Sequence, residues 1–137
     1  EQPDGGSIRG ADCRWAAVFQ EDRLLEDLPA AGNLRFALGK VPEDAGTLLS
    51  RLGLDLSDPK NVRTWSGGMK RRLALARALL APAEALALDE PFAGLDGENR
   101  DRCLAAIRER EGGRPVLLAT HDLTGLEDAP VVRLRGV

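Results

Sequence analysis

The stretch "ALALDEP", residues 85–91, reads as a short apolar strand that runs straight into two carboxylates and a proline. Further on, "PVLLATHD" (residues 115–122) has the same form, with Thr120 and the only histidine of the chain, His121, at its end. Between the two, Asp96 can cap a helix that runs through Arg110, with Leu104 and Ile107 facing inward and Gly112-Gly113 ending it. Strand, helix, strand in this order is a βαβ unit, and its strands run parallel through a right-handed crossover. Strands apolar on both faces suit a parallel sheet covered by helices. Parallel strands bring their carboxyl ends to one edge, where open α/β sheets bind ligands. Asp89, Glu90 and His121 are therefore predicted to meet there.

Those residue types fit phosphoryl transfer. A carboxylate at a strand end suits a hard cation such as Mg²⁺, which takes oxygen ligands and keeps several waters. A second carboxylate beside it can orient an attacking water or take its proton. An imidazole can hydrogen-bond a phosphate oxygen. Taken singly, each feature has a plainer reading: an Asp-Glu pair before proline is a turn or a helix cap, and a lone His a hydrogen-bonded surface or core residue. Convergence on one edge is what those readings do not account for.

Upstream, "WSGGMKRR" (residues 65–72) sets two glycines where a helix begins. Glycine costs about 1 kcal/mol in a helix interior, less near an end. A helix start offers unpaired N–H groups and about half a positive charge, worth ~0.3–1 kcal/mol to an anion at an exposed site. Ser66 adds a hydroxyl, and Gly67 and Gly68, without Cβ, let an anion approach the backbone. The glycines thus read as a second phosphate-binding surface; a plain loop is the other reading. The helix continues through Leu73, Leu75, Ala76, Leu79 and Leu80, apolar on more than one face, until Pro82 stops it. Lys70, Arg71 and Arg72 read as a solvated helix face.

Before it, "PDGG" (residues 3–6) is a turn into a short strand at residues 7–9, and "RWAAVF" (residues 14–19) a buried strand that delivers Gln20 to its end. Residues 21–40 are mostly helical in character, interrupted by Pro29 and Gly32. "PEDAGTLLSRLG" (residues 42–53) is a capped helix: Pro42 suits the first turn, Glu43 and Asp44 meet the positive end, and Gly53 closes it. "LSDPKNVRT" (residues 56–64) is a polar connection, and "VVRL" near the C-terminus is a third apolar strand.

With 137 residues, 43% hydrophobic and 30% charged, the chain is one domain or a piece of one. A net charge of −3 gives no basic field for nucleic acid. Cys13 and Cys103 make no disulfide framework and no metal spacing, which suits a reducing, cytoplasmic setting. No apolar run approaches the ~20 residues of a membrane span, and the N-terminus is no signal peptide. A soluble, intracellular unit is expected.

These residues resemble the nucleotide-binding domain of the ATP-binding cassette (ABC) family. "WSGGMKRRLALARALL" is similar to the signature motif and its helix, and "ALALDEP" to the Walker B strand with its glutamate. "AGLD" (residues 93–96) resembles the D-loop, "ATHD" the switch-histidine loop and "VFQEDRLL" the glutamine loop. All five stand in the family's order across nearly the whole chain, and the wording is most similar to importer ATPases of the nitrate, sulfonate and taurine type. The implied fold is α/β: a partial P-loop NTPase fold, a parallel core sheet with flanking helices plus a helical subdomain. Residues 1–31 would hold the strand and glutamine loop, 32–81 the helical subdomain with the signature, and 82–137 the Walker B, D-loop and switch-histidine region.

The resemblance implies ATP and Mg²⁺ as cofactors and ATP hydrolysis to ADP and phosphate. Asp89 would hold Mg²⁺ through water, Glu90 would polarise the hydrolytic water, and His121 would contact the γ-phosphate. Gln20 would touch metal and water while contacting a transmembrane partner. Ser66, Gly67 and Gly68 would bind the γ-phosphate of ATP held by a second subunit, and Asp96 would link the two sites. The implied partners are a second nucleotide-binding subunit, transmembrane permease subunits whose coupling helix docks on the helical subdomain, and a solute-binding protein. The place is the inner face of the cell membrane.

Three features depart from the family. Trp65 replaces the usual leucine and Met69 the usual glutamine, both beside the phosphate-facing atoms and so expected to alter packing. A P-loop needs G-x-x-x-x-G-K-[ST] to cradle the β- and γ-phosphates. Gly39-Lys40 is the chain's only Gly-Lys pair, with Leu34 at the first glycine position and Val41 after the lysine, so it is no P-loop. The opening "EQPDGGSIRG" resembles the segment after the P-loop helix, so the chain is expected to start mid-domain and to hydrolyse ATP weakly or not at all alone. Two further functions stay open: a non-catalytic remnant or interaction module of the same fold, and a cassette ATPase of the DNA-repair or chromosome-organising kind. The second would carry a long coiled-coil insertion, which the short polar stretch before Trp65 does not.

Overall fold

The computed structural model describes residues 12–132. The elements run β1 (Trp15–Val18), α1 (Ala30–Leu38), α2 (Ala45–Arg51), a 3₁₀ turn (Val62–Thr64), α3 (Gly67–Leu80), β2 (Ala85–Asp89), α4 (Gly97–Arg110) and β3 (Val116–Ala119). The three strands form one parallel sheet in the order β1-β2-β3, with Val18 beside Leu88 and Asp89 beside Ala119. The expected βαβ unit is therefore β2-α4-β3, and the two strands that carry the candidate residues are adjacent and co-directional.

Strand alternation sorts the side chains. Ala16, Val18, Leu86 and Leu88 face one continuous core with Leu73, Leu75 and Leu79 of α3 and Cys103, Leu104 and Ile107 of α4. Leu34 of α1 and Leu48 and Leu49 of α2 close the same core. Along the opposite face, Trp15 is 48% and Leu117 66% exposed, with the half-buried Ala17 and Ala87 in register beside Leu117. Among the described residues this apolar face has no helix on it, contrary to the expected two-sided cover.

The helix capped by Asp96 begins as expected, and Ser66, read from sequence only as a phosphate-facing hydroxyl, also caps its helix. Ser66 Oγ accepts the Met69 N–H at 3.2 Å, and Asp96 Oδ1 accepts the Asn99 N–H at 2.8 Å. Pro82 follows the end of α3. Gly53 lies at φ 68 just past α2, and the Leu54 N–H reaches Leu49 O at 2.8 Å, closing the helix.

Other segments differ from the sequence expectation. Residues 21–29 are not helical, because Asn33 satisfies that backbone as a turn. Its Oδ1 takes the Leu25 N–H at 2.8 Å and its Nδ2 donates to Leu25 O at 3.0 Å and Pro29 O at 3.2 Å. Gly32 does not interrupt α1; a Cβ there would stand 3.1 Å from Leu28 Cβ, so it marks a close approach. Pro42, Glu43 and Asp44 precede α2 rather than opening it, and Asp44 pairs with Arg110 of α4 at 2.8 Å. The connection before Trp65 is not wholly polar, since Val62 is fully buried in its 3₁₀ turn. The expected strand at residues 7–9 lies outside the described residues, as do Arg133 and Leu134 of the C-terminal one. Val131 and Val132 are not in a strand.

Candidate functional site

β2 and β3 bring Glu90 and His121 together. The Glu90 N–H donates to Ala119 O at 2.8 Å, so the ladder continues past the strand ends. Glu90 itself adopts φ 44, a left-handed conformation that costs a non-glycine residue roughly 1–2 kcal/mol. Its Oε1 accepts the His121 backbone N–H at 3.1 Å and lies 2.9 Å from His121 Nδ1, while Thr120 Oγ1 donates to Oε2 at 3.3 Å. One carboxylate thus orients the imidazole and leaves Nε2 for another partner. The neighbouring Asp89 is exposed at the strand end.

The His121 hydrogen bond, then its charge, holds the Glu90 carboxyl below its ordinary range. The same hydrogen bond raises His121 above 6.5. A raised His favours the fold fully below its ordinary pKa and loses that as pH rises through the raised value. A depressed Glu contributes above its ordinary 4.5 and loses that as pH falls through the depressed value. The pair is therefore charged on both sides between those limits. An NMR titration of the His121 ring is expected to show a midpoint above 6.5 that returns to about 6.5 in Glu90→Gln. A wild-type midpoint at or below 6.5 contradicts the pairing.

A second group of candidate residues lines a separate groove of about 510 Å³ between the start of α3 and the loop before α4. Ser66, Gly67, Gly68 and Asp96 all border it, with Arg71, Arg72 and Asn99. Over Gly67 there is open space, as backbone approach by an anion requires. Gly68 is different: a Cβ there would meet Leu95 Cδ2 at 3.3 Å, so packing against the 93–96 loop accounts for that glycine. Ser66 Oγ is an acceptor for its helix and keeps its O–H to donate. Asn99, through its backbone N–H and then its side chain, depresses the Asp96 carboxyl. Asp89, Glu90 and His121 do not border this groove. Trp65 is 7% exposed within the core and Met69 packs against it, so both substitutions sit in packing positions.

Gln20 lies exposed beyond β1, with its carbonyl oxygen taken by Arg71 Nη2 at 2.5 Å. The basic run that reads as a solvated face is in fact half structural: Arg71 and Arg72 are each only 8% exposed. Arg72 Nη1 donates to Leu52 O and to Asn99 Oδ1, both at 2.7 Å, and its Nε to Gly68 O at 3.1 Å. Since Asn99 Nδ2 donates to Asp96 Oδ2 at 3.0 Å, a short chain of bonds joins the start of α3 to Asp96. Arg100, also buried, pairs with Asp122 at 2.9 Å, donates to Thr124 O at 2.6 Å and stacks on Phe92, fixing the turn that bears His121. Charged residues on helices with buried surroundings were the signal for all three.

The residues present fit Mg²⁺ and phosphate. Among the described residues no three His, Cys, Asp or Glu cluster as a closed metal site. Mg²⁺ needs no such cage, since one or two carboxylates and the substrate phosphates suffice. Asp89 at an open strand end meets that need. No helix among the described residues is long and apolar enough to cross a membrane.

The taurine import ATP-binding protein TauB of Pseudomonas fluorescens is 34% identical over 131 residues, covering 89% of this chain and 50% of that protein. TauB of Chromobacterium violaceum is 36% identical over 137 residues, covering 88% of this chain and 52% of its own length. The chain thus spans about half the length of these relatives. Among solved structures, the ATP-binding subunit of an ABC transporter superposes with a TM-score of 0.71 at 26% identity, over 84% of this chain and 51% of that one. The sequence pattern of the ABC transporter family matches residues 2–93, more than half of the chain, and with the parallel sheet and the Glu90–His121 edge this establishes that the chain belongs to the ABC transporter family.

Proposed function

We propose that this chain forms part of the ATP-hydrolysing subunit of an ABC importer, and the observation that carries the reading is the Glu90–His121 contact at 2.9 Å on adjacent parallel strand ends. Glu90, anchored by three donors, orients and polarises the attacking water. His121, oriented through Nδ1, presents Nε2 to the γ-phosphate. Asp89 and Gln20 hold Mg²⁺, which when bound neutralises phosphate charge. The groove at Ser66, Gly67 and Gly68 faces a different direction of use: it takes the γ-phosphate of ATP held by a second subunit, with Asp96 joining the two sites. Two head-to-tail copies in two-fold symmetry satisfy this arrangement. Residues 32–81 dock a permease at the inner face of the membrane, a solute-binding protein delivers the cargo, and a taurine-like sulfonate is the class of solute that the TauB relatives' names suggest.

The 137 residues contain no G-x-x-x-x-G-K-[ST], and in this reading the cradle for the β- and γ-phosphates is supplied by other polypeptide. The sheet face around the exposed Leu117, which no helix covers among the described residues, supports this, because parallel sheets are stable when both faces are covered. The same two facts favour a second reading for these residues by themselves, a nucleotide-free interaction module of the ABC fold. Phosphate release separates the two. The 137 residues alone are expected to give no turnover above background. Joined to a P-loop-bearing segment of an ABC relative, they are expected to turn over at about 1 s⁻¹ or faster, as ordinary enzymes do. Turnover by the chain alone that Glu90→Gln abolishes refutes the dependence on a P-loop. No turnover in the joined protein favours the interaction module.

A further inference from the structure

Gln20 sits in a loop, residues 19–23, with no backbone-to-backbone hydrogen bond of its own among the described residues. The first turn hydrogen bond after β1 among the described residues runs to Leu25 O, beyond the loop. Arg23 adopts φ 49 there, and its guanidinium lies 3.8 Å over the Phe19 ring. What holds the loop is α3. Arg71 Nη1 donates to Phe19 O at 2.7 Å and Nη2 to Gln20 O at 2.5 Å. One helical repeat and a half further on, Arg77 Nη1 donates to Arg23 O at 2.6 Å and Nη2 to Asp22 O at 2.9 Å. Four of the five loop carbonyls therefore rest on two guanidinium forks from a single helix. A fork reaches two acceptors at fixed spacing, which an ammonium cannot.

The acid within the loop serves the same grip. Asp22 Oδ1 lies 3.1 Å from Arg71 Nη1 as an ion pair, and among the described residues that buried oxygen has no hydrogen-bond partner. Burial raises the Asp22 carboxyl against the pull of Arg71, Arg77 and Lys70. Arg71 also borders the groove at Ser66–Gly68, and each of its terminal nitrogens gives an N–H to the loop.

We propose that Arg71 and Arg77 are positioning residues that fasten the 19–23 loop to α3, so that Gln20 is placed by the helix that begins at Ser66 and not by the strand that precedes it. Glu90 and His121 are fixed to each other through β2 and β3 and have no such tie. A shift of α3 then moves Gln20 relative to the Glu90–His121 pair. The catalytic consequence rests on the ATPase reading above; the fastening itself does not.

Backbone order parameters from NMR relaxation on the 137-residue chain test the fastening. The double variant Arg71→Met, Arg77→Met is expected to lower the order parameters of residues 20–24 from about 0.85 to below about 0.6, with Leu86 and Leu88 unchanged. Arg71→Lys is expected to keep part of that order. Unchanged order parameters at 20–24, or a fall shared equally with β2, overturn the proposal. If the double variant does not fold, Arg77→Lys alone is judged by the same pattern. The second arm measures phosphate release in a protein in which these residues are joined to a P-loop-bearing segment. Arg71→Met is expected to lower kcat with KM changed by less than about two-fold, and to add nothing in a Gln20→Ala background. Additive losses overturn action through Gln20. Absence of turnover in the joined wild type counts against the ATPase reading alone, and the order parameters still decide the fastening.

Discussion

Glu90→Gln is expected to reduce phosphate release by about 10²–10⁴-fold once these residues are joined to a P-loop-bearing segment, the range that a positioned general base supplies. The substitution isolates the chemistry because the site can keep its geometry. Glutamine Oε1 can accept the His121 N–H and face Nδ1 as the carboxylate oxygen does, and its Nε2 can donate to Thr120 Oγ1 in place of Oε2. The left-handed backbone at residue 90 is unaffected, so the strained conformation is carried over. What is lost is the negative charge that would take or attract the water's proton. Nucleotide affinity is therefore expected to stay within about three-fold of wild type, placing the whole effect in kcat. A loss of less than about ten-fold in kcat, or a parallel loss of binding, would remove Glu90 from the water-activating role.

Arg72→Met is expected to destabilise the fold by about 2 kcal/mol. Among the described residues Arg72 has no carboxylate at ion-pair distance, so neutral acceptors hold its buried charge: Leu52 O, Asn99 Oδ1 and Gly68 O. Methionine fills much of the volume but leaves the buried Leu52 O unpaired, at roughly 1–3 kcal/mol, whereas the half-buried Asn99 Oδ1 at the groove can turn to water. Relief of the cation's desolvation offsets part of this. In urea, the midpoint should fall with the slope unchanged. Arg72→Lys should recover less than half, since one ammonium cannot serve acceptors in three directions. A shift under about 1 kcal/mol for Arg72→Met would mean that Leu52 O finds another donor, and that the link from α3 to Asp96 is dispensable.

The arginines mark where sequence reading stops. In "KRRLALARALL" the apolar residues cover several faces, which already requires burial all round, and a cation in that setting must find acceptors. Its acceptors, however, are backbone carbonyls of Phe19, Gln20, Leu52 and Arg23, contributed by loops far away in the chain. Every residue has a carbonyl, so no side-chain pattern announces which ones will be used. The same limit explains the turn at residues 25–29: its hydrogen bonds go to one buried Asn33 side chain, and Asn33 carries no periodic signal.

Local chemistry and period settled the rest. The cap at Asp96, the stop at Pro82 and the apolar runs ending in Asp89-Glu90 and Thr120-His121 depend on neighbours a few residues apart, so the chain alone determined them, and with them the parallel pairing that seats an acid against the only imidazole. Tertiary structure alone decided that the groove at Gly67 stands apart from that pair, that Gly68 lies against Leu95, and that one sheet face has no helix on it among the described residues. Each of those depends on which distant surface arrives at a given point, and a linear pattern fixes which face is apolar without fixing what will cover it.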